Sequence, residues 1–209
     1  MSTIDSLLDE AGQTFADEAG IALRDEPAPL YRLLVLSVLL SRRVQAKLGT
    51  RACRELVDAG YGTPERVRDA SWEDVVATLG RAKYTGTEQT TTALQEGAQR
   101  VLDEWGGDLR RLRKAADGDV ATLREHLTAF PRLGPVGADI FVREVQAVWP
   151  EYRPHLDEKA LAGAEKLGLP TDAGKLAEQV AGDDLARLAA ALVRADRDDQ
   201  VREEVGGDD

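Results

Sequence analysis

Apolar residues recur along this chain mostly at three- and four-residue intervals, the spacing of one helix face. Residues 3–19 carry Ile4, Leu7, Leu8 and Ala11 on one side, which predicts an amphipathic helix. Leu30–Leu40 is nearly unbroken apolar sequence, opened by Pro27-Ala28-Pro29, and Pro is well tolerated in a helix's first turn. The run is too short to cross a bilayer, so it reads as a buried central helix. Val44–Ala59 continues helically to Gly60, and Thr63-Pro64 and Ser71, with Asp74 three residues on, are helix starts. The polar turn Gly80–Gly86 leads into a long helix over about Thr87–Trp105, which Gly106-Gly107-Asp108 ends.

The most distinctive stretch is Leu127–Glu144. Leu123, Leu127 and Phe130 precede a hinge, Phe130–Gly137, punctuated by Pro and Gly, and Ala138, Phe141, Val142 and Val145 follow it. Two helices joined by so short a hinge form an antiparallel pair, and the glycines let the backbone turn and approach a ligand closely. The second helix begins with its first N–H groups unpaired, which makes an anion site that a nucleic-acid phosphate would suit. Further on, Leu161–Leu169 is an apolar helix, Thr171 starts another, and Asp183 or Asp184 starts a third carrying Leu185, Leu188, Ala189 and Leu192. From Asp196 onward the chain is polar and acidic, and disorder is expected.

Composition narrows the class. The chain is rich in Ala, Leu, Val and Arg while aromatics make up 5%, which favours a mostly helical protein. No run is apolar enough to span a membrane, and MSTIDSLLDEAG lacks the basic-then-apolar order of a signal peptide, so a soluble, cytoplasmic protein is expected. The single cysteine, Cys53, excludes internal disulfides and any four-cysteine metal site, and a small buried helical residue is the simplest reading of it. His126 and His155 lack metal-ligand spacing, and Trp72, Trp105 and Trp149 read as packing residues. The net charge of −11 opposes binding to a polyanion. Its distribution softens this: Met1–Glu26 carries a net −6 and Asp196–Asp209 a net −5, which leaves the body formally neutral. Within that body Arg42, Arg43, Lys47, Arg51 and Arg54 cluster, as do Arg110, Arg111, Arg113 and Lys114. Either cluster also fits an ordinary solvated helix face.

Phe130-Pro131-Arg132-Leu133-Gly134, followed by Ala138-Asp139, resembles the helix-hairpin-helix of the endonuclease III-like DNA glycosylases. Val38-Leu39-Leu40-Ser41 is similar to that family's second-helix segment, and His155-Leu156-Asp157 stands where the family places its catalytic Asp. The resemblance implies an all-α architecture of two helical subdomains. Residues 27–169 would form the core with the hairpin at 130–137. Residues 1–26 would pack with the C-terminal helices of 170–195, leaving 196–209 as an acidic tail. It also implies a monomeric base-excision enzyme acting on duplex DNA that holds a damaged or mismatched base. Many of these enzymes carry a four-cysteine iron–sulfur cluster, which this chain has no cysteines to hold; a monovalent or divalent cation at the hairpin would remain compatible.

The resemblance assigns roles residue by residue. Asp157 would stabilise the oxocarbenium-like sugar formed as the N-glycosidic bond breaks. From the local sequence alone Asp157 reads as an N-cap, and only its distance from the hairpin favours the catalytic role. Gly134, Val136 and Gly137 would present backbone to phosphate. Arg132 replaces a hairpin Gly and costs strain if φ is positive there, unless the turn differs or Arg132 adds a phosphate contact. Arg43 stands near the place of the family's base-gap wedge with Gln45 close by, although a solvent-facing Arg43 fits as well; Arg42 belongs to the same basic stretch. Lys83 and Tyr84 are candidates for pocket or backbone contacts. Bifunctional members place a Schiff-base Lys where this chain has Val136, which implies hydrolysis without strand cutting. Lys159, close to Asp157, is the weaker candidate nucleophile. A DNA-binding module without catalysis, or a helical protein-interaction domain, are the other classes these residues allow.

Overall fold

Pro27–Leu40 is helical because Pro27 and Pro29 occupy a first turn whose N–H groups have no intrahelical partner. From Leu30 to Leu40 every residue except Arg32 is buried, so this helix has no solvent face and serves as an axis for its neighbours. The computed structural model describes residues 2–42 and 44–206.

Among the described residues the regular structure is helical. In chain order the elements are α1 (Thr3–Ala11), α2 (Phe15–Glu18), α3 (Pro27–Leu40), α4 (Ala46–Asp58), α5 (Pro64–Asp69), α6 (Trp72–Arg81) and α7 (Thr87–Trp105). They continue as α8 (Arg110–Ala116), α9 (Val120–Thr128), α10 (Gly134–Val145), α11 (Glu158–Lys166), α12 (Ala173–Ala177), α13 (Leu185–Arg197) and α14 (Asp199–Gly206). Two 3₁₀ turns, Pro150–Tyr152 and Gly182–Asp184, complete the set. The helix starts expected at Thr63 and Ser71 are present, since Thr63 Oγ1 accepts the Arg66 N–H and Ser71 Oγ that of Asp74.

The chain divides into two compact units. One comprises Ala16–Phe141 and is built on α3, which packs against α4 and α7; α5 and α6 also lie on α7, and α8 pairs with α9. The other comprises Met1–Phe15 with Val142–Asp209, where α13 is the central helix and contacts α1, α11 and α14. α1 thus lies with the C-terminal helices, and the division falls at Phe15/Ala16 and Phe141/Val142.

Two local expectations need correction. The single helix expected over residues 3–19 stops at Ala11 and resumes at Phe15, because Arg194 donates to the Ala11 and Gln13 carbonyls and satisfies the broken turn. The acidic stretch after Asp196 is also not a disordered tail as far as Gly206. Asp196 lies in α13, bonded to Lys166, and α14 packs on α1 and α13 with Val205 buried. One apolar residue in an acidic run is enough to seat a short helix when its neighbours offer a matching face, and charge counting does not register that.

Candidate functional site

The hairpin is assembled by two buried anchors. Phe130 and Leu133 are both in the core, and Leu133 N–H donates to the Phe130 carbonyl at 3.2 Å, closing the turn between α9 and α10. Arg100 supports the turn from α7, donating to the Ala129 carbonyl at 2.8 Å with its guanidinium 5.7 Å from the Phe130 ring. Arg124 of α9 pairs with Asp139 of α10 at 2.9 Å, tying the two helices together.

Arg132 has φ +60° and Gly134 φ +43°. The conformation that a Gly would adopt without cost is thus imposed on an exposed Arg. Replacing Arg132 with Gly should relieve that strain, less the extra freedom Gly gains when unfolded, a net gain of roughly 0.5–1 kcal/mol. Thermal melting should rise by about 1–4 °C. An unchanged melting temperature would show that Arg132 is held by contacts worth as much as the strain.

The turn delivers the start of α10 with little above its backbone. Gly134, Pro135 and Val136 are exposed, Val136 at 56%. Pro135 has no N–H, so Gly134, Val136 and Gly137 supply the first-turn donors, where the helix dipole is positive. Gly137 is itself buried: a side chain there would lie 2.8 Å from Leu133 Cδ1 and 3.2 Å from Ser41 Cβ. Its missing Cβ serves the packing of α10 onto α3, and Ser41 Oγ reinforces the contact by donating to the Arg132 carbonyl at 3.3 Å.

The remaining expected contacts divide. Arg42 lies at the end of α3 next to the hairpin-contacting Ser41; it donates to Thr90 Oγ1 at 3.2 Å and its guanidinium packs over Gly86 at the start of α7. Gln45 is exposed at the N-cap of α4, and Lys83 is exposed with φ +57°. Arg43 lies outside the described residues. Tyr84 is buried, and its hydroxyl donates to the Leu39 carbonyl at 2.7 Å, which packs it against α3. Burial pushes its phenol up to about 12.

Asp157 belongs to the other unit and caps α11. Its Oδ1 accepts the Ala160 N–H at 2.9 Å, and its Oδ2 accepts from Arg143 Nη1 at 2.5 Å. The two side chains are 8% and 4% exposed. Both carboxylate oxygens are therefore engaged and the carboxyl plane is fixed. Gln146, fully buried, holds the surrounding backbone: its Nε2 donates to the Arg143 and His155 carbonyls, and its Oε1 accepts the His155 N–H, each at 2.9 Å. Arg153 closes the end of α10 by donating to the Gln146 carbonyl at 2.7 Å and to the Ala147 carbonyl at 2.9 Å. Lys159 is exposed on α11.

Sequence reading missed Arg143, Gln146 and Arg153. Arg143, Glu144 and Gln146 are polar residues among apolar ones at the end of α10 and just past it, yet all three are buried. Glu144 accepts the Phe15 N–H at 3.3 Å, which anchors the N-terminal segment to this cluster. Only the pairing of Arg143 with an acid elsewhere makes its burial affordable, and that acid is far off in sequence.

No family model matches the chain. No curated protein matches it either. Among solved structures it is similar to a trapped endonuclease III–DNA covalent intermediate, an estranged-adenine complex, at 15% identity and a TM-score of 0.52, covering 93% of this chain and 85% of that one. The fold is accordingly endonuclease III-like and all-α.

Proposed function

We propose that the protein binds duplex DNA through the 130–137 hairpin and hydrolyses the N-glycosidic bond of an extruded, damaged or mismatched base, with Asp157 as the acting carboxylate. The observation that carries this reading is the exposed start of α10 at Gly134–Val136, in a fold whose solved neighbour is described as held covalently on DNA. Phosphate accepted by the Gly134, Val136 and Gly137 N–H groups needs no cation, which suits a chain of net charge −11. Asp157 keeps lone pairs beyond the two already used, enough to orient a water against the sugar.

Four thiolates are needed for an iron–sulfur cluster, and the lone Cys53 is fully buried in α4, where burial pushes its thiol up to about 12. The residues do not fit a cluster, and no step depends on one.

One observation favours a second reading, a DNA-binding module without excision: Arg143 neutralises Asp157 at 2.5 Å, which weakens its field at any sugar. A panel of duplexes, each with one lesion, separates the two. Excision that requires Asp157 supports the enzyme, binding without excision the module, and neither would sink both.

Excision should proceed without strand cutting, because Val136 carries no amine to form an imine. Borohydride treatment of the protein on lesion or abasic DNA should trap no adduct. An adduct lost in Lys159→Ala would instead make Lys159 a nucleophile.

A further inference from the structure

We infer that Arg143 is the positioning residue of Asp157: it acts on the excision reaction through the carboxylate alone and contributes nothing separate to DNA affinity. The inference rests on the excision reading and deepens it.

Three features of the pair separate it from an ordinary surface bridge. Both side chains are withdrawn from water, at 4% and 8% exposure, so holding them costs desolvation that a well-packed apolar pair would not incur. A pair of this kind is retained more readily for the geometry it fixes than for net stability. Next, Arg143 Nε is buried and makes no hydrogen bond among the described residues, although Nη1 lies 2.5 Å from Asp157 Oδ2. The guanidinium is thus set for the carboxylate at the expense of its Nε–H, which stays buried and unbonded. Finally, the Arg143 backbone is clipped to the segment before Asp157 through the Gln146 amide. Main chain and side chain of one residue both hold the approach to Asp157.

With Ala160 N–H on one oxygen and Arg143 on the other, rotation of the carboxyl group is blocked in both senses. The Phe15 ring supports the guanidinium at 5.7 Å, and Arg194 lies against the same ring at 4.3 Å. A carboxylate held this way meets the sugar in one orientation, and a misplacement of about 1 Å in such a group can cost on the order of 10²-fold in rate.

The test is a double-mutant cycle on single-turnover excision, using wild type, Arg143→Lys, Asp157→Asn and the double variant. Melting temperature and affinity for a duplex carrying an unreactive abasic analogue are measured on each. Lys keeps the charge and loses the planar fork. Arg143→Lys should bind within about twofold of wild type and excise at least tenfold more slowly. In the Asp157→Asn background the same change should cost less than about twofold. Arg143→Gln, which retains an amide NH₂ donor without the charge, replaces the Lys variant if that chain does not fold.

Additive losses with an active wild type would overturn the positioning role and leave excision standing. Affinity falling in step with excision would also overturn it, because a merely structural residue does that. A wild type that excises no lesion in the panel overturns the excision reading and the role built on it, and it is recognised by the silence of the wild type itself.

Discussion

Asp157→Asn should lose at least about two orders of magnitude in single-turnover excision while keeping its affinity for lesion-bearing duplex. Asn ranks with Asp at an N-cap, so the Ala160 N–H keeps an acceptor. The second contact fares worse. If the amide oxygen caps α11, the amide NH₂ faces Arg143 Nη1, donor against donor; if it turns to Arg143, the cap is lost. In either case a buried guanidinium loses its counter-charge, which costs on the order of 3 kcal/mol. The melting temperature should then fall by roughly 6–12 °C. Rates are therefore compared well below that transition. Excision at near wild-type rate in a folded Asp157→Asn protein would sink the proposed mechanism, whatever the melting curve does.

The largest purely structural effect is expected at Gly163. It sits in α11, where a Cβ would lie 1.9 Å from the Leu192 carbonyl oxygen, 2.7 Å from its carbon and 3.1 Å from the Asp196 nitrogen. These are backbone atoms of α13 and cannot rotate aside. Gly163→Ala must push α11 and α13 apart, and because Asp157 caps α11, the displacement reaches the carboxylate. The expected cost is about 3 kcal/mol or more, at the upper end for overpacking, with melting about 6 °C or more lower. Melting within 2 °C of wild type would mean that the two helices do not cross this closely in solution.

The long helix was readable from its ends. The Gly86 and Gly106 boundaries of α7 fall where a polar turn and a Gly pair predict them, because breakers act locally. The buried α3 and the hairpin were legible for the same reason: an unbroken apolar run and a Pro/Gly hinge are written in consecutive residues. The packing of Tyr84 was not legible, because its partner, the Leu39 carbonyl, is remote in sequence. Arg143 was invisible on the same ground. A charged residue in a helix reads as solvated until the acid that buries it is located, and Asp157 lies across a loop whose path periodicity does not describe. Asp157 itself was found, but its cap role came from the local sequence and its proposed chemistry only from a resemblance.

The loop between α10 and α11 is a closed ring rather than a tether. Gln146 joins its two ends through two hydrogen bonds with His155, and Arg153 reaches back from within it to the end of α10. The number of residues in the ring is therefore set by the clasp, alongside the identity of its buried members Trp149 and Tyr152. One residue inserted between Ala147 and Arg153 keeps every side chain of the segment and still displaces Arg153 and His155 from Gln146. The length of this segment is what keeps His155, and with it Asp157, in register with the end of α10.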